Sequence, residues 1–465
     1  MSASMLCRLG RRVPLLRLAG PLLVVLLAIP AASRGQVGGV SFDAGGVVRL
    51  APPLSPAELQ LARQRLAEPS PRVARESPCR VISLRRLESA LSEHLERMGP
   101  EGWDQLPPDL RYLAGLNRID WVLVRPGQSD VWLAGPAGAW ESDDTGNPLA
   151  SRGGRPPLEL DDLLVAVRYA FPVGETDDFI GCSIDPTPEG LAAVERLLQR
   201  QRWVDAASSG TLARSLEQAA GPQAITLFGV AGETRFAQKL VSADYRLKRL
   251  ALGHDPAPVP GWRNSLDLLA QRGAGRVPQQ RWWFAPSATA LRVSPERDAW
   301  RIDPEPLEIA TARRSAAGEP DTPATREARQ FAELATRLLP EVAARVPIFA
   351  ELQNLLALAL AAEITRETAG RSANAWQPDL LRDSRRCPTR RVAVPRSTPP
   401  LAQVRPGAKG AWISTVSGGV EFRPDTLVSE ARELAGTETR PPVADPPPSA
   451  ADWWWEATPD PTGTN

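Results

Sequence analysis

Between residues 157 and 252 the apolar spacing switches repeatedly between the periods of helix and strand. PLELDDLLVAVRYAF (157–171) has helical spacing, and FIGCSID (179–185) reads as a strand. TPEGLAAVERLLQRQRW (187–203) reads as a helix with Thr187 as cap and Pro188 in its first turn. AITLFGV is a further strand, and ETRFAQKLVSADYRLKRLAL (233–252) is a long helix stopped by Gly253 and Pro256. The alternation predicts an α+β (mixed α/β) fold, with a mixed-sheet domain over 111–276 and helices flanking it. The chain has 465 residues. Single cores stop growing at about 250 to 300 residues, so two or three structural units are expected.

On either side the signals are local. Residues 34–110 read as an N-terminal strand and helical region, with Ser55 and Glu58 spaced as a capping box and Leu84, Leu87, Leu91, Leu95 and Met98 on one helical face. IDWVLVRP and SDVWLAGP are strands joined by Gly127 and Gln128, a hairpin signal. Four short β-rich runs between turn residues predict a small antiparallel sheet over 277–314, and residues 325–370 predict a helical segment interrupted at Pro340 and Pro347. Composition then suggests an Arg/Pro-rich linker (371–408), C-terminal strands (409–428) and a disordered Pro/Trp tail (436–465) carrying Trp453, Trp454 and Trp455. The phrase GGVxF occurs near both ends, and Val40–Phe42 and Val420–Phe422 are expected as strands that neighbour one another.

The first 33 residues combine arginines, the apolar run LAGPLLVVLLAIP and the small residues Ala31, Ala32 and Ser33, the three parts of a secretory signal. The protein is therefore expected to be exported, periplasmic or extracellular, with cleavage near Ser33 and no transmembrane span in the mature chain. Cys79, Cys182 and Cys387 then remain in an oxidising compartment, and a Cys79–Cys387 disulfide is expected with Cys182 buried. A formal net charge of +1 provides no global field for nucleic acid, which is not expected as a partner. Lys239, Lys248 and Lys409 are the only lysines, and the arginines read as mostly solvated surface.

The chain has two histidines, His94 and His254, so most multi-histidine metal sites are excluded and no metal or cofactor is expected. No GxSxG, HExxH, P-loop or GxGxxG stands in its required context. The adjacent doublets Asp143/Asp144, Asp161/Asp162 and Asp177/Asp178 do not converge from one element, and Asp161 and Asp162 suit the first turn of a helix for dipole reasons alone. Fourteen tryptophans suggest aromatic binding surface, with adjacent Trp282 and Trp283 pointing to opposite faces of a strand. The leading expectation is a non-enzymatic envelope or periplasmic binding or structural protein, with an envelope protein or polymer as partner. The alternative is a hydrolase using Asp244, His254 and Asp255 for acid–base work, against a reading of His254 as a helix-end residue.

SADYRLKRLALGHDPAPVPG (242–261), QRWWFAPSATALRVSPERDAWRI (280–302), IGCSIDPTPEGL (180–191) and IFAELQNLLALALAAEI (348–364) occur in this order. Together they resemble a planctomycete family of exported proteins called domain of unknown function 1598, over roughly residues 110 to 425. The resemblance implies export and no established activity, so it carries over no catalytic residue. The tryptophan-bearing tail is a departure from the family's pattern.

Overall fold

The computed structural model describes residues 36–37, 40–42, 48–50, 54–200, 208–270, 280–313, 322–371, 375–407, 410–435, 449 and 452–457. Strands β1 (Gln36–Val37), β2 (Val40–Phe42) and β3 (Val48–Leu50) form a small antiparallel sheet. Helix α1 (Pro56–Arg65) starts at the expected capping box: the Glu58 N–H donates to the Ser55 hydroxyl at 3.4 Å, and the Ser55 N–H donates to the Glu58 carboxylate at 2.9 Å. Then come β4 (Ser77–Ser83), α2 (Leu84–Met98) and α3 (Pro108–Arg111). The hairpin of β5 (Trp121–Arg125) and β6 (Asp130–Ala137) turns through Pro126–Gln128, with Ser129 left-handed at φ 48°. A two-stranded ribbon, β7 (Trp140–Ser142) and β8 (Pro148–Ala150), leads to the alternating stretch.

That stretch folds as its periodicity indicates: α4 (Leu160–Ala170), β9 (Ile180–Pro186), α5 (Pro188–Arg200), α6 (Ser209–Ala220), β10 (Gln223–Phe228) and α7 (Arg235–Leu252). The remaining elements are α8 (Ser265–Ala270), β11 (Gln280–Pro286), β12 (Leu291–Val293), β13 (Ala299–Ile302), β14 (Leu307–Arg313), α9 (Arg326–Arg345), α10 (Pro347–Arg371), α11 (Asp379–Arg382), β15 (Ser397–Thr398), β16 (Ala402–Gly407), β17 (Gly410–Phe422), α12 (Pro424–Ser429), β18 (Arg432–Glu433) and β19 (Trp454–Glu456). Helix α9 runs through Pro340, and Pro347 begins α10.

Two seven-stranded sheets organise the α+β fold. The first has the order β14-β11-β17-β9-β10-β15, with β16 on the far end of β17, and it is antiparallel except where β11 runs parallel to β17. The second has the order β18-β12-β13-β5-β6-β4-β19 and is antiparallel except at β18/β12. The four strands of residues 280–313 therefore do not make a sheet of their own. β11 and β14 join the first sheet while β12 and β13 join the second, because each pair finds a longer partner elsewhere. Helix α7 lies on β9, β11 and β17, and α10 packs against α4, α7, α9, α12 and β5, so the helical layer ties the sheets into one core. α10 is long and apolar enough to cross a bilayer, yet every residue from Ile348 to Thr365 is buried inside the fold. Burial on every side, with polar groups such as Glu351 and Asn354 paired inside, suits a central helix.

Three further expectations change. Val40–Phe42 and Val420–Phe422 are both strands, but β2 pairs with β1 and β3 while the end of β17 pairs with β9 and β11, so they are not neighbours. Cys79, Cys182 and Cys387 are all free thiols, so the Cys79–Cys387 bridge is absent. Cys79 packs with the cluster around Trp132 and Trp455, whereas Cys387 is buried in the main core. The stretch expected as a linker over 371–408 is threaded into the structure. Its Leu380 N–H donates to Glu88 at 2.6 Å, its Cys387 carbonyl accepts from Arg168, and β15 extends the first sheet. Within 436–465, Ser449 and Asp452–Ala457 are the described residues, and among them Trp454–Glu456 form β19 and pair with β4.

Candidate functional site

Helix α7 is buried along its whole length except at Arg246 and Arg249, and it carries four buried charges: Arg235, Lys239, Asp244 and Lys248. At its N-terminus the Thr234 hydroxyl accepts from the Ala237 N–H at 3.2 Å, which sets the first turn and turns Arg235 inward. The start of α4 faces it. Glu159 occupies the N-cap position of α4 without capping, because its carboxylate is held by arginine instead: Arg235 Nε lies 2.9 Å from Glu159 Oε1. Arg235 Nη1 reaches Asp162, and Nη2 reaches Glu351 on α10 at 3.3 Å. One turn further along α7, Lys239 pairs with Glu351. From the segment after Cys387, Arg390 pairs with Glu159 and places Nε 2.5 Å from Asp161 Oδ2.

Four carboxylates and three cations thus share one network at the junction of α4, α7 and α10, buried except at Arg390. Burial works to raise Glu159, but Arg235 and then Arg390 outweigh it and hold the group below the usual carboxylate range. Asp162, with one oxygen unpartnered, goes the other way: burial pushes it up to about 7, Arg235 offsets part of this, and neighbouring Glu159 adds to the rise. Lys239 is lowered by burial against the pull of Glu351. Near neutral pH the Asp162 proton brings the network close to charge balance, which suits a buried site.

Above this network opens a cleft of about 490 Å3. Its wall presents Arg65, Arg111, Arg235, Lys239, Arg390 and Arg391 against one carboxylate, Glu159. Arg65 and Arg111 make no ion pair among the described residues. Gln238, 1 % exposed, lines the same cleft with its side-chain oxygen unpartnered. Chemically, the cleft offers guanidinium forks and an ammonium to a negatively charged group, and one amide oxygen to a donor beside it. Among the described residues, no group of three or more His, Cys, Asp and Glu side chains is placed to hold a metal ion.

The acid–base candidates do not come together. Asp244 is fully buried on the sheet side of α7, with Oδ2 2.7 Å from Lys248 Nζ, which also donates to the Ile184 carbonyl at 3.0 Å. Burial pushes Asp244 up to about 6, with Lys248 offsetting part of the rise. Asp255 is held by Arg246 at 2.9 Å and by Arg249 at 2.8 Å. His254 sits at the end of α7, where its backbone N–H donates to the Arg249 carbonyl at 2.9 Å and completes a Schellman closure around left-handed Gly253. Burial and then Arg249 lower the His254 imidazole. None of the three lines the cleft. His94 is buried, with Nε2 2.9 Å from the Gly102 carbonyl.

Trp282 and Trp283 take opposite faces as read: Trp282 is buried edge-on to Phe331 at 5.1 Å, and half-buried Trp283 carries the Arg281 guanidinium 5.0 Å from its ring centre. The network at Arg235 was missed by sequence reasoning, which read arginines as solvated and the Asp161/Asp162 doublet as a dipole effect. One signal was available. The chain has three lysines among 55 basic residues, and two of them are the buried pair on α7.

A family model described as a protein of unknown function (DUF1598) matches residues 182–264, from β9 past the end of α7. The matched segment contains Arg235, Gln238, Lys239, Asp244 and Lys248, whereas Glu159, Glu351 and Arg390 lie outside it. No curated protein and no solved structure matches the chain.

Proposed function

We propose that this chain is an exported, non-enzymatic binding protein of the cell envelope, and that the cleft at Arg235 takes an anionic group carried by an envelope polymer. The observation that carries the reading is the wall of six cationic side chains against one carboxylate. The buried network beneath supports it as well: Glu159, Asp162 and Glu351 fix Arg235 and Lys239, so two of the cations are pre-oriented and lose little freedom on binding. The commitment of Asp244 and Asp255 to their own cations speaks against a hydrolase centred on His254.

The test is a titration of the purified mature chain with poly-L-glutamate and with inorganic tripolyphosphate at low and physiological salt. The expected result is saturable binding that weakens with salt and falls by roughly 30-fold when Arg111 and Arg391 are both changed to alanine, since each charge-assisted contact contributes on the order of 1 kcal/mol. Absence of saturable binding to either probe at low salt would sink the reading.

A further inference from the structure

The second sheet ends in a strand delivered from the far end of the chain. β19 pairs antiparallel with β4, Trp454 opposite Ile82, Trp455 opposite Val81 and Glu456 opposite Arg80. The ladder continues at both ends, with the Ser83 N–H donating to the Trp453 carbonyl and the Ala457 N–H donating to the Cys79 carbonyl, each at 3.0 Å. What receives it is specific. Arg80 is fully buried and donates to the Val73 and Arg75 carbonyls at 3.0 and 2.8 Å, and Glu456 is its carboxylate partner, bonded from Nε at 3.0 Å and Nη2 at 2.8 Å.

The Trp454 ring has two guanidinium groups over it, Arg72 at 4.1 Å and Arg80 at 4.5 Å. On the other face Trp455 meets Trp132 edge-on at 4.9 Å. Arg72 also pairs with Asp452 at 2.7 Å, and Arg86 donates to the Ser449 carbonyl at 3.0 Å. Ser449 and Asp452–Ala457 therefore meet three arginines, an aromatic slot on each face and a strand edge, all contributed by residues 72–86 and β6. That is recognition of an extended peptide by strand addition, with the acid and aromatic positions supplying specificity.

We propose that the edge of β4 is an acceptor groove for an extended Asp-x-Trp-Trp-Glu segment, and that residues 449–457 of a second copy of this chain can fill it in place of the chain's own. β18 and β19 lie on opposite edges of the same sheet, so the chain after Glu433 must cross six strand spacings, about 29 Å at ~4.8 Å each. Residues 436–448, between the docked ends, span up to ~43 Å at about 3.3 Å per residue. This reach exceeds the ~29 Å that the chain's own groove requires, so the same segment extends to the β4 edge of a neighbour. Departure of the strand strips Arg80 of Glu456, and an incoming carboxylate at that position restores it.

The test uses the full chain carrying Trp454→Ala and Glu456→Gln, which weakens its own strand, and a fluorescent SAADWWWEA peptide read by anisotropy. The expected result is saturable binding to this variant, at least roughly tenfold weaker binding to the wild-type chain whose groove is filled, and roughly tenfold loss for a peptide with Trp454 replaced by alanine. If the double variant fails to fold, Glu456→Gln alone is titrated with the same expectations. Failure of the folded variant to bind the peptide, or equal binding of the alanine peptide, overturns the groove. Donor- and acceptor-labelled wild-type chains should develop energy transfer that rises with concentration and is competed by the peptide. Peptide binding without such transfer overturns the second copy as occupant.

Discussion

Replacing Lys248 with methionine removes the cation beside Asp244 and keeps the length of the side chain, so the result reads the buried pair almost alone. Both residues are at most 1 % exposed, and their 2.7 Å contact lies under the first sheet. In the intact protein burial takes Asp244 from 3.8 to about 6 in spite of Lys248. That difference of about two pH units is worth ~3 kcal/mol. Because the folded pKa is raised, the folded chain holds a proton that the unfolded chain releases between pH ~4 and ~6. This contribution is fully present below pH 4 and is lost as pH rises through 6. Without Lys248 the carboxyl goes higher still, and above pH 7 an ionised Asp244 has no cation. Urea melts followed by tryptophan fluorescence should show a loss of ~3 to 5 kcal/mol at pH 8. The loss should shrink to about 1 kcal/mol or less at pH 5, where Asp244 is largely protonated in both proteins. The double variant Asp244→Leu/Lys248→Met should return to within ~1 kcal/mol of the wild type. A Lys248→Met variant within ~0.5 kcal/mol of wild type at pH 8, or one equally destabilised at pH 5 and pH 8, refutes the reasoning.

Arg235→Met leaves Glu159, Asp162 and Glu351 without their shared cation and should cost ~3 to 5 kcal/mol by chemical denaturation. Asp162, raised from 3.8 to about 7, makes stability fall as pH rises between those values; Asp162→Asn should remove about one proton from that slope, ~1.4 kcal/mol per pH unit, seen in melts at pH 4.5, 6 and 7.5. Arg111→Ala and Arg391→Ala, by contrast, should shift stability by no more than ~0.5 kcal/mol while weakening polyanion binding, because neither belongs to the buried network. Leu358→Ala at the centre of α10 should cost ~2 to 5 kcal/mol, since the side chain is fully buried between layers. Export is checked by sequencing the N-terminus of the chain recovered from the envelope fraction: a start near residue 34 is expected, and an intact Met1 refutes cleavage.

Where a signal is carried by neighbours in the chain, the sequence reading held. The Ser55/Glu58 capping box, the β5–β6 hairpin, the stop of α7 at Gly253 and the opposed faces of Trp282 and Trp283 each depend on residues within a few positions of one another. The candidate site was not legible in the same way. Its charges come from positions 159 to 162, 235, 239, 351 and 390, and nothing local distinguishes the buried Arg390 partners, Glu159 and Asp161, from solvated surface carboxylates. The free thiols and the filled β4 edge follow the same rule. Cys79 and Cys387 are compatible as a pair on paper, and the Trp453–Trp455 run looks unburiable by its own segment, until the tertiary fold puts Cys79 and Cys387 in different clusters and supplies Arg72, Arg80 and Trp132 to the tryptophans.

The sequence by itself determined the helices and strands of residues 157–252, and with them the alternation that makes the fold α+β, because capping, turn chemistry and periodicity act over a few residues. Only the tertiary structure decided how strands distant in sequence divide between two sheets, that two of three lysines lie buried on α7, and that six cations face one cleft. The physical reason is that burial and electrostatic pairing depend on neighbours in space, and for a charged side chain the same residue type is cheap at the surface and costly inside unless a distant part of the chain brings its partner.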